Sequence, residues 1–411
     1  MSGKAILLVM MGYSLLFMIA GNYFNGVSGR MTDNYVDYFS KTNAHNIAIS
    51  GANMAANEVF LNPTWTTGYN NLNYQGGKLF VAVNILDAYK NLRQIHSVGI
   101  FGKDTSRVKV TLAPSKFSKF AYYSVSEGSG IWWINQDTVW GPFHTQSNLL
   151  ASQKPSFYGK ASSKGKIQYY TNQKTDAPYF HGGYEQGVDL PMPLDGVTAL
   201  KAPAQSGGLY FNGNLSGKST VYMEFQGDNL LYKYKSTGPY IDTLYLPTAA
   251  ANGVIFVDNG TVRLKGTISG AYTIGCSGSS DPKGTVYLDD DIVYTHNPKT
   301  TESNDMLGIV AQKNVLITEN TPNKSSININ ASIYVQNGGF GAENYDSRAV
   351  SGNINLIGGI IQNTRQAVGT FSGGTIKSGF AKQYKYDDRF LVASPPFFPG
   401  TGGYEIVSWY E

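Results

Sequence analysis

The chain holds a single cysteine, Cys276, in 411 residues. That excludes an internal disulfide and any zinc or iron–sulfur site built on paired thiolates. A lone thiol of this kind reads most simply as a small buried hydrophobe. Charge is scarce as well. Asp, Glu, Lys and Arg make up 15% of the residues, and the net charge of +4 includes no long basic block. The electrostatic footprint of a nucleic-acid-binding protein is missing, so no nucleic-acid partner is expected. His45, His96, His144, His181 and His296 are scattered, with no pair at metal-ligand spacing. No Gly-x-Ser-x-Gly elbow surrounds a plausible nucleophile, and Gly217-Lys-Ser lacks the upstream glycine of a phosphate-cradling loop. The expectation is a protein that is not an enzyme and takes no cofactor or metal.

The most telling gap is at the start. No charged residue lies between Lys4 and Arg30. Within that gap, Ile6, Leu7, Leu8, Val9, Leu15, Leu16, Phe17 and Ile19 belong to a run that is apolar almost all round. A bilayer span needs about 20 such residues, and Ala5 to Phe24 just reaches that length. A signal peptide would need a small-residue cleavage site, and Gly21-Asn-Tyr-Phe-Asn-Gly26 is a poor one. Behind the stem, Asp33 to Phe60 contains no proline. Ala44, Ile47, Ala48, Gly51, Ala52, Ala55 and Val59 recur there at spacings of three and four, the mark of one helical face. Small residues dominate that face, so a headpiece can pack close to the helix backbone. Asn62-Pro63 ends the pattern. A continuous helix over residues 5–60 would run about 84 Å at ~1.5 Å per residue. Gly21, Gly26 and Gly29 each weaken such a helix by about 1 kcal/mol relative to Ala. They are the expected place for a break or stretch if stems stack in a polymer.

What the chain has in plenty is Tyr (29) and Gly (47), which argue for short strands joined by tight turns. Residues 64–76 read as a loop. Alternation at Leu79, Val81, Val83 and Ile85, then 95–101 and 108–112, predicts an antiparallel meander on the small-residue helix face. His96 is then a plain strand position. Beyond Ile131 short Val/Ile runs edged by Gly, Asn or Asp recur irregularly, as at Gly253-Val-Ile-Phe-Val, Gly284-Thr-Val-Tyr-Leu and Asn353-Ile-Asn-Leu-Ile. They resemble the rungs of a parallel β-helix, with a Greek-key sandwich as runner-up. The predicted class is α+β: a long N-terminal α-helix, a small antiparallel β-meander headpiece and a β-rich domain of parallel β-helix (solenoid) type. The expected divisions are 1–62 (stem and amphipathic helix), 63–130 (headpiece), 131–380 (solenoid) and 381–411 (aromatic, Pro-rich cap).

Carboxylates offer one enzymatic alternative. Asp289-Asp-Asp291 with Asp258 is the best cluster, and β-helix enzymes often act on acidic polysaccharides. Consecutive strand residues face opposite ways, however, so a solvated turn is the plainer reading. Asp387-Asp-Arg389 reads as a local ion pair. Asn-x-Ser/Thr sequons stand at Asn214, Asn259, Asn323 and Asn330.

The residues Lys4-Ala-Ile-Leu-Leu-Val-Met-Met-Gly-Tyr-Ser-Leu-Leu16 and Asn43-Ala-His-Asn-Ile-Ala-Ile-Ser-Gly-Ala-Asn-Met-Ala55 resemble the N-terminus of type IV pilin-like proteins, minor pilins above all. The segment Asp137-Thr-Val-Trp-Gly-Pro-Phe-His-Thr-Gln-Ser-Asn-Leu149 is similar to one in larger members of that group. The usual early glutamate is absent, since nothing acidic precedes Asp33. Met1-Ser-Gly3 would be a very short leader. The resemblance implies a structural subunit of an extracellular, cell-surface pilus-like filament, anchored in the inner membrane before assembly. Its partners would be copies of itself and a pilus or secretion assembly machine. Two alternatives stand beside it: a membrane-tethered β-helix protein binding or degrading surface glycans, and a low-copy minor pilin or pseudopilin.

Overall fold

The computed structural model describes residues 3–87, 91–135, 137–372 and 375–411. A long N-terminal helix leads into β-rich structure of both antiparallel and parallel kinds. The chain divides into two units, one of residues 1–115 with 403–411 and the other of 116–402.

In the first unit, helix α1 runs unbroken from Gly3 to Leu61. Asn62 ends it: its amide still reaches Glu58 O, while its Oδ1 accepts from the Thr64 amide and hydroxyl ahead of the chain's turn at Pro63. Strands β1 (Tyr69–Tyr74), β2 (Gly77–Asp87), β3 (Leu92–Phe101) and β4 (Asp104–Lys116) pair antiparallel in sequence order. A fifth strand from the chain's far end, Gly400–Tyr410, lies beside β4. Two expectations are corrected here. Residues 69–74, read as loop, form an edge strand whose mostly exposed side chains carry no alternating signal. The Pro-rich end does not stop at its prolines, because the chain resumes a ladder after Pro399.

The helix docks on this sheet through its small face. Ile47, Ala48, Ala52, Ala55 and Val59 share a core with Leu79, Val81, Ile95, Val108, Val110 and Leu112. Two glycines allow the approach. A Cβ at Gly51 would strike Leu79 and sit 2.6 Å from Ser97 Oγ. One at Gly99 would strike Ala44 O and sit 2.6 Å from Ala48 N.

The second unit is built on stacked parallel strands. One ladder runs, in spatial order, Leu209–Asn212, Val254–Asp258, Ala271–Cys276, Met306–Ala311, residues 332–335, residues 360–364, Tyr122–Ser126, Phe143–Thr145, Ala161–Ser163 and Tyr184–Gln186. A second joins Thr220–Gly227, Thr261–Ile268 and Val286–Tyr294, and continues through Val315–Ile317 to Phe340–Ala342. A shorter one links Thr138–Val139, Ser156–Phe157 and Tyr179–Phe180. Short antiparallel additions occur at Asn229–Lys233 and Asp242–Tyr245. Inward-facing Val262, Leu264, Val286, Leu288, Ile309, Ile329, Ile333 and Ile360 form one continuous apolar core.

The spatial order of these strands is not their order in the chain. The stack starts in the middle, since Tyr122–Ser126 pairs with residues 360–364. From there the chain climbs to Tyr184–Gln186, then returns to the opposite end before Leu209. The return segment crosses the outside of the first ladder. Leu190 O accepts from Tyr123 Oη at 2.7 Å, Val197 N donates to Gln336 at 3.0 Å, and Lys201 pairs with Asp258 at 2.6 Å. Val197, Leu200 and Ala204 bury Tyr123, Val254, Phe256, Val310 and Tyr334. Because the ladder is covered inside and out, its strands read as unbroken apolar runs such as Val254-Ile-Phe-Val.

Where Tyr122–Ser126 meets residues 360–364, a polar cluster is buried. Glu127 and Arg365 pair at 3.1 Å, with side chains 2% and 4% exposed. Glu127 also accepts from Trp133 Nε1 at 2.8 Å, and the Arg365 guanidinium lies 4.0 Å over the Trp133 ring.

Residues 395–399 do not sit as a cap on the end of the stack. Pro396 O accepts from Thr273, Pro399 O accepts from Phe117 N at 3.0 Å, and Phe398 is fully buried with Phe117 and Tyr334. The prolines end strand pairing locally, and the phenylalanines then find the apolar flank of the ladder.

Candidate functional site

Helix α1 changes character along its length. From Ser40 onward it is anchored: Ser40 Oγ donates to Phe101 O at 2.9 Å, and just ahead of it Asp37 pairs with Lys103 at 2.8 Å. Before that point its apolar side chains are bare. Ile6, Leu7, Leu8, Val9, Leu15, Leu16, Phe17 and Ile19 are between 50% and 75% exposed. Met10, Met11, Tyr13, Met18, Tyr23, Phe24, Met31, Tyr35, Val36 and Tyr38 extend the bare surface. Of these, Met31, Tyr35, Val36 and Tyr38 lie beyond the apolar run of the sequence, which Arg30 and Asp33 interrupt. A monomer rarely leaves so much contiguous apolar surface unburied.

The stem is suited to an apolar setting in its polar atoms too. Ser14 donates back to Met10 O at 2.9 Å. That bond satisfies its hydroxyl within the helix, which lowers the penalty for removing it from water. Arg30 Nε donates to Gly26 O at 3.2 Å and Thr32 Oγ1 to Ser28 O at 3.0 Å. At Gly12, Gly21, Gly26 and Gly29 nothing lies within 4 Å of where a Cβ would stand, so no packing in this chain calls for glycine there. Ala44, Ile47, Ala48, Gly51, Ala52, Ala55 and Val59 lie on the docked face and are all buried.

The carboxylates of the acidic cluster are engaged in ion pairs and hydrogen bonds. Asp289–Asp291 lie within the strand Val286–Tyr294, not in a solvated turn. They bulge out of register between the pairs Leu264↔Leu288 and Gly266↔Ile292. Asp289 is tied to Arg263 at 2.6 Å and accepts from Thr318 at 2.7 Å, while Asp291 accepts from Asn328 N at 2.7 Å. Burial pushes the Glu224 carboxyl up, but Tyr240, Lys265 and Gln226 outweigh it and hold the pKa at about 2. Asp258 likewise sits below its usual range, since bonds from Lys201, Tyr210 and Ser277 overcome its burial. A general acid needs a raised carboxyl pKa, and neither of these groups has one.

Other sequence candidates scatter. No group of three or more His, Cys, Asp or Glu able to hold a metal occurs among the described residues. Cys276 is buried and burial pushes its thiol up to about 12, far from reactive. His45 neighbours Glu411 and Ser106, His96 sits on Gln94 in β3, and His296 meets Asp305. His144 is buried against Ser162. Asp387 and Arg389 form a 2.6 Å ion pair. Of the sequons, Asn323 and Asn330 are buried, and Asn323 Nδ2 is spent on Leu288 O and Thr318 O. They are closed to glycosylation in the folded chain.

No family model and no curated protein matches this chain. Among solved structures it is similar to the competence-associated pilin ComZ from Thermus thermophilus, at 13% identity and a TM-score of 0.37. That likeness covers 90% of this chain and 97% of the other, and so loose a match carries no argument about function. The exposed helix is itself long and apolar enough to cross a membrane.

Proposed function

We propose that the chain is a structural subunit of an extracellular pilus-like filament. It is held in the inner membrane by the stem and then polymerises through it, with the β-rich remainder outside the filament core. The observation that carries this reading is the split character of α1: buried small residues from Ala44 to Val59, bare apolar ones from Ile6 to Phe24. Burying one Leu, Ile or Phe side chain stabilises by roughly 1.5–3 kcal/mol, so a stem of this composition supplies on the order of 10 kcal/mol per subunit. Membrane and filament core are both apolar, so transfer between them needs little net energy.

In the same reading the body is a parallel β-helix, whose stacked rungs make a rigid and protease-resistant unit. No catalytic role is assigned to it. The test is removal of residues 1–36. The remaining chain should sediment as a soluble monomer, whereas the full chain pellets as filaments. Filaments formed without the stem would sink the proposal. A major filament protein should dominate sheared surface fractions, and a low-copy minor pilin or pseudopilin should not.

A further inference from the structure

On the body, Trp140, Tyr158 and His181 each directly follow one of the three strands of the short ladder. Their rings stack nearly parallel, Trp140 on Tyr158 at 4.1 Å and 8°, Tyr158 on His181 at 4.3 Å and 10°. Trp140 is 58% exposed. Such a stack leaves no room for a planar group between its rings, so only its end faces can take a ligand. Trp140 is one end, and it lines a cavity of about 240 Å³ that Tyr158 and His181 do not reach. Its other walls include Asp137, Lys382, Tyr384, Lys385 and Tyr386.

The geometry points to this cavity as a binding site for an acidic hexose, a hexuronate unit of a surface polysaccharide. A pyranose ring has an apolar C–H face and a polar rim, which fits a pocket whose aromatic walls, Trp140 and Tyr386 among them, alternate with the polar groups of Asp137, Lys382 and Gln383. The preference for acid follows from charge, since the lining holds two lysines and one aspartate. Lys382 Nζ lies 3.9 Å from Asp137 Oδ1, beyond hydrogen-bond reach. Asp137 Oδ2 is engaged by Ile134 N at 3.0 Å. Burial holds the Lys382 ammonium below its usual range, and a bound carboxylate would relieve that. Successive bases of a nucleic acid would need open faces between the rings, which this stack denies them. The site is independent of whether the chain polymerises.

Detergent-dispersed full chain is titrated with oligogalacturonates, with malto-oligosaccharides and a single-stranded oligonucleotide in parallel, by calorimetry and tryptophan fluorescence. The uronate should bind at least tenfold more tightly than the neutral sugar, with quenching. Trp140→Ala should weaken it at least tenfold, and Trp140→Phe should stay within about threefold of the parent. Lys382→Gln should erase the preference for uronate. Absence of uronate binding would overturn the proposal. So would equal affinity in folded Trp140→Ala and Lys382→Gln, or binding of the oligonucleotide alone.

Discussion

Individual side chains decide two features that can be measured directly. Glu127 and Arg365 join the ends of two neighbouring strands, Tyr122–Ser126 and residues 360–364, in a dry setting. Removing one partner of such a pair leaves a buried charge and costs about 3–5 kcal/mol. Glu127→Gln should lower the melting temperature markedly, while the double change Glu127→Gln, Arg365→Met should be milder than the single one. His144 is the second feature. Burial lowers its pKa from the usual 6.5 to about 4, and Gln146 and Asp189 only partly oppose this. Its folded pKa lies below its unfolded one, so its contribution is complete above pH 6.5 and is lost as pH falls toward about 4. Glu224 adds a lower window, with stability present above its usual 4.5 and lost as pH falls toward about 2. A melting curve against pH should therefore decline in two stages, and His144→Gln should flatten the upper one. A single decline unchanged by that substitution would refute the assignment.

Among the elements, helix α1 and the return segment behave differently. The face of α1 from Ala44 to Val59 was legible in the sequence because a helical period of small residues leaves a clear signature. Gly99 carried no such signature. It reads as any strand residue, yet it lets the helix backbone in. Gly99→Val should destabilise by about 1–3 kcal/mol through overpacking, read as a lowered midpoint in urea. The glycines at 21, 26 and 29 concern a different state. The isolated helix is continuous there, and the expected break belongs to the assembled form. Filament density with unbroken helix through residues 21–29 would remove that expectation. Residues 187–208 reveal themselves only in three dimensions. They fall inside the division expected to be solenoid, yet they add no strand to it, and Val197 and Leu200 are core residues of the ladder they cross. Leu200→Ala should cost about 2–5 kcal/mol, an amount no surface loop residue would show.

For the whole molecule, the prediction that matters is the one on solubility. A chain cut after residue 36 keeps Asp37, Ser40 and the whole docked face, and should behave as a monodisperse monomer. The aromatic cavity should act in that form as it does in the full chain, because its walls all belong to the second unit.

By itself the sequence determined the local and periodic features. A charge-free apolar run forces a helix that must be covered by lipid or protein. A small-residue face marks where something packs closely, and short Val/Ile runs between turn formers mark strands. Each of these signals lies within a few residues of its cause. Tertiary structure alone decided the rest, because it depends on pairings between distant segments. It brought Tyr122–Ser126 against residues 360–364, took the last strand back to β4, and drew Asp289–Asp291 out of a turn into a bulged strand. It also aligned Trp140, Tyr158 and His181 from separate turns of the chain. No local preference encodes such partners, since a strand's edge can accept many neighbours and only the packed core selects among them.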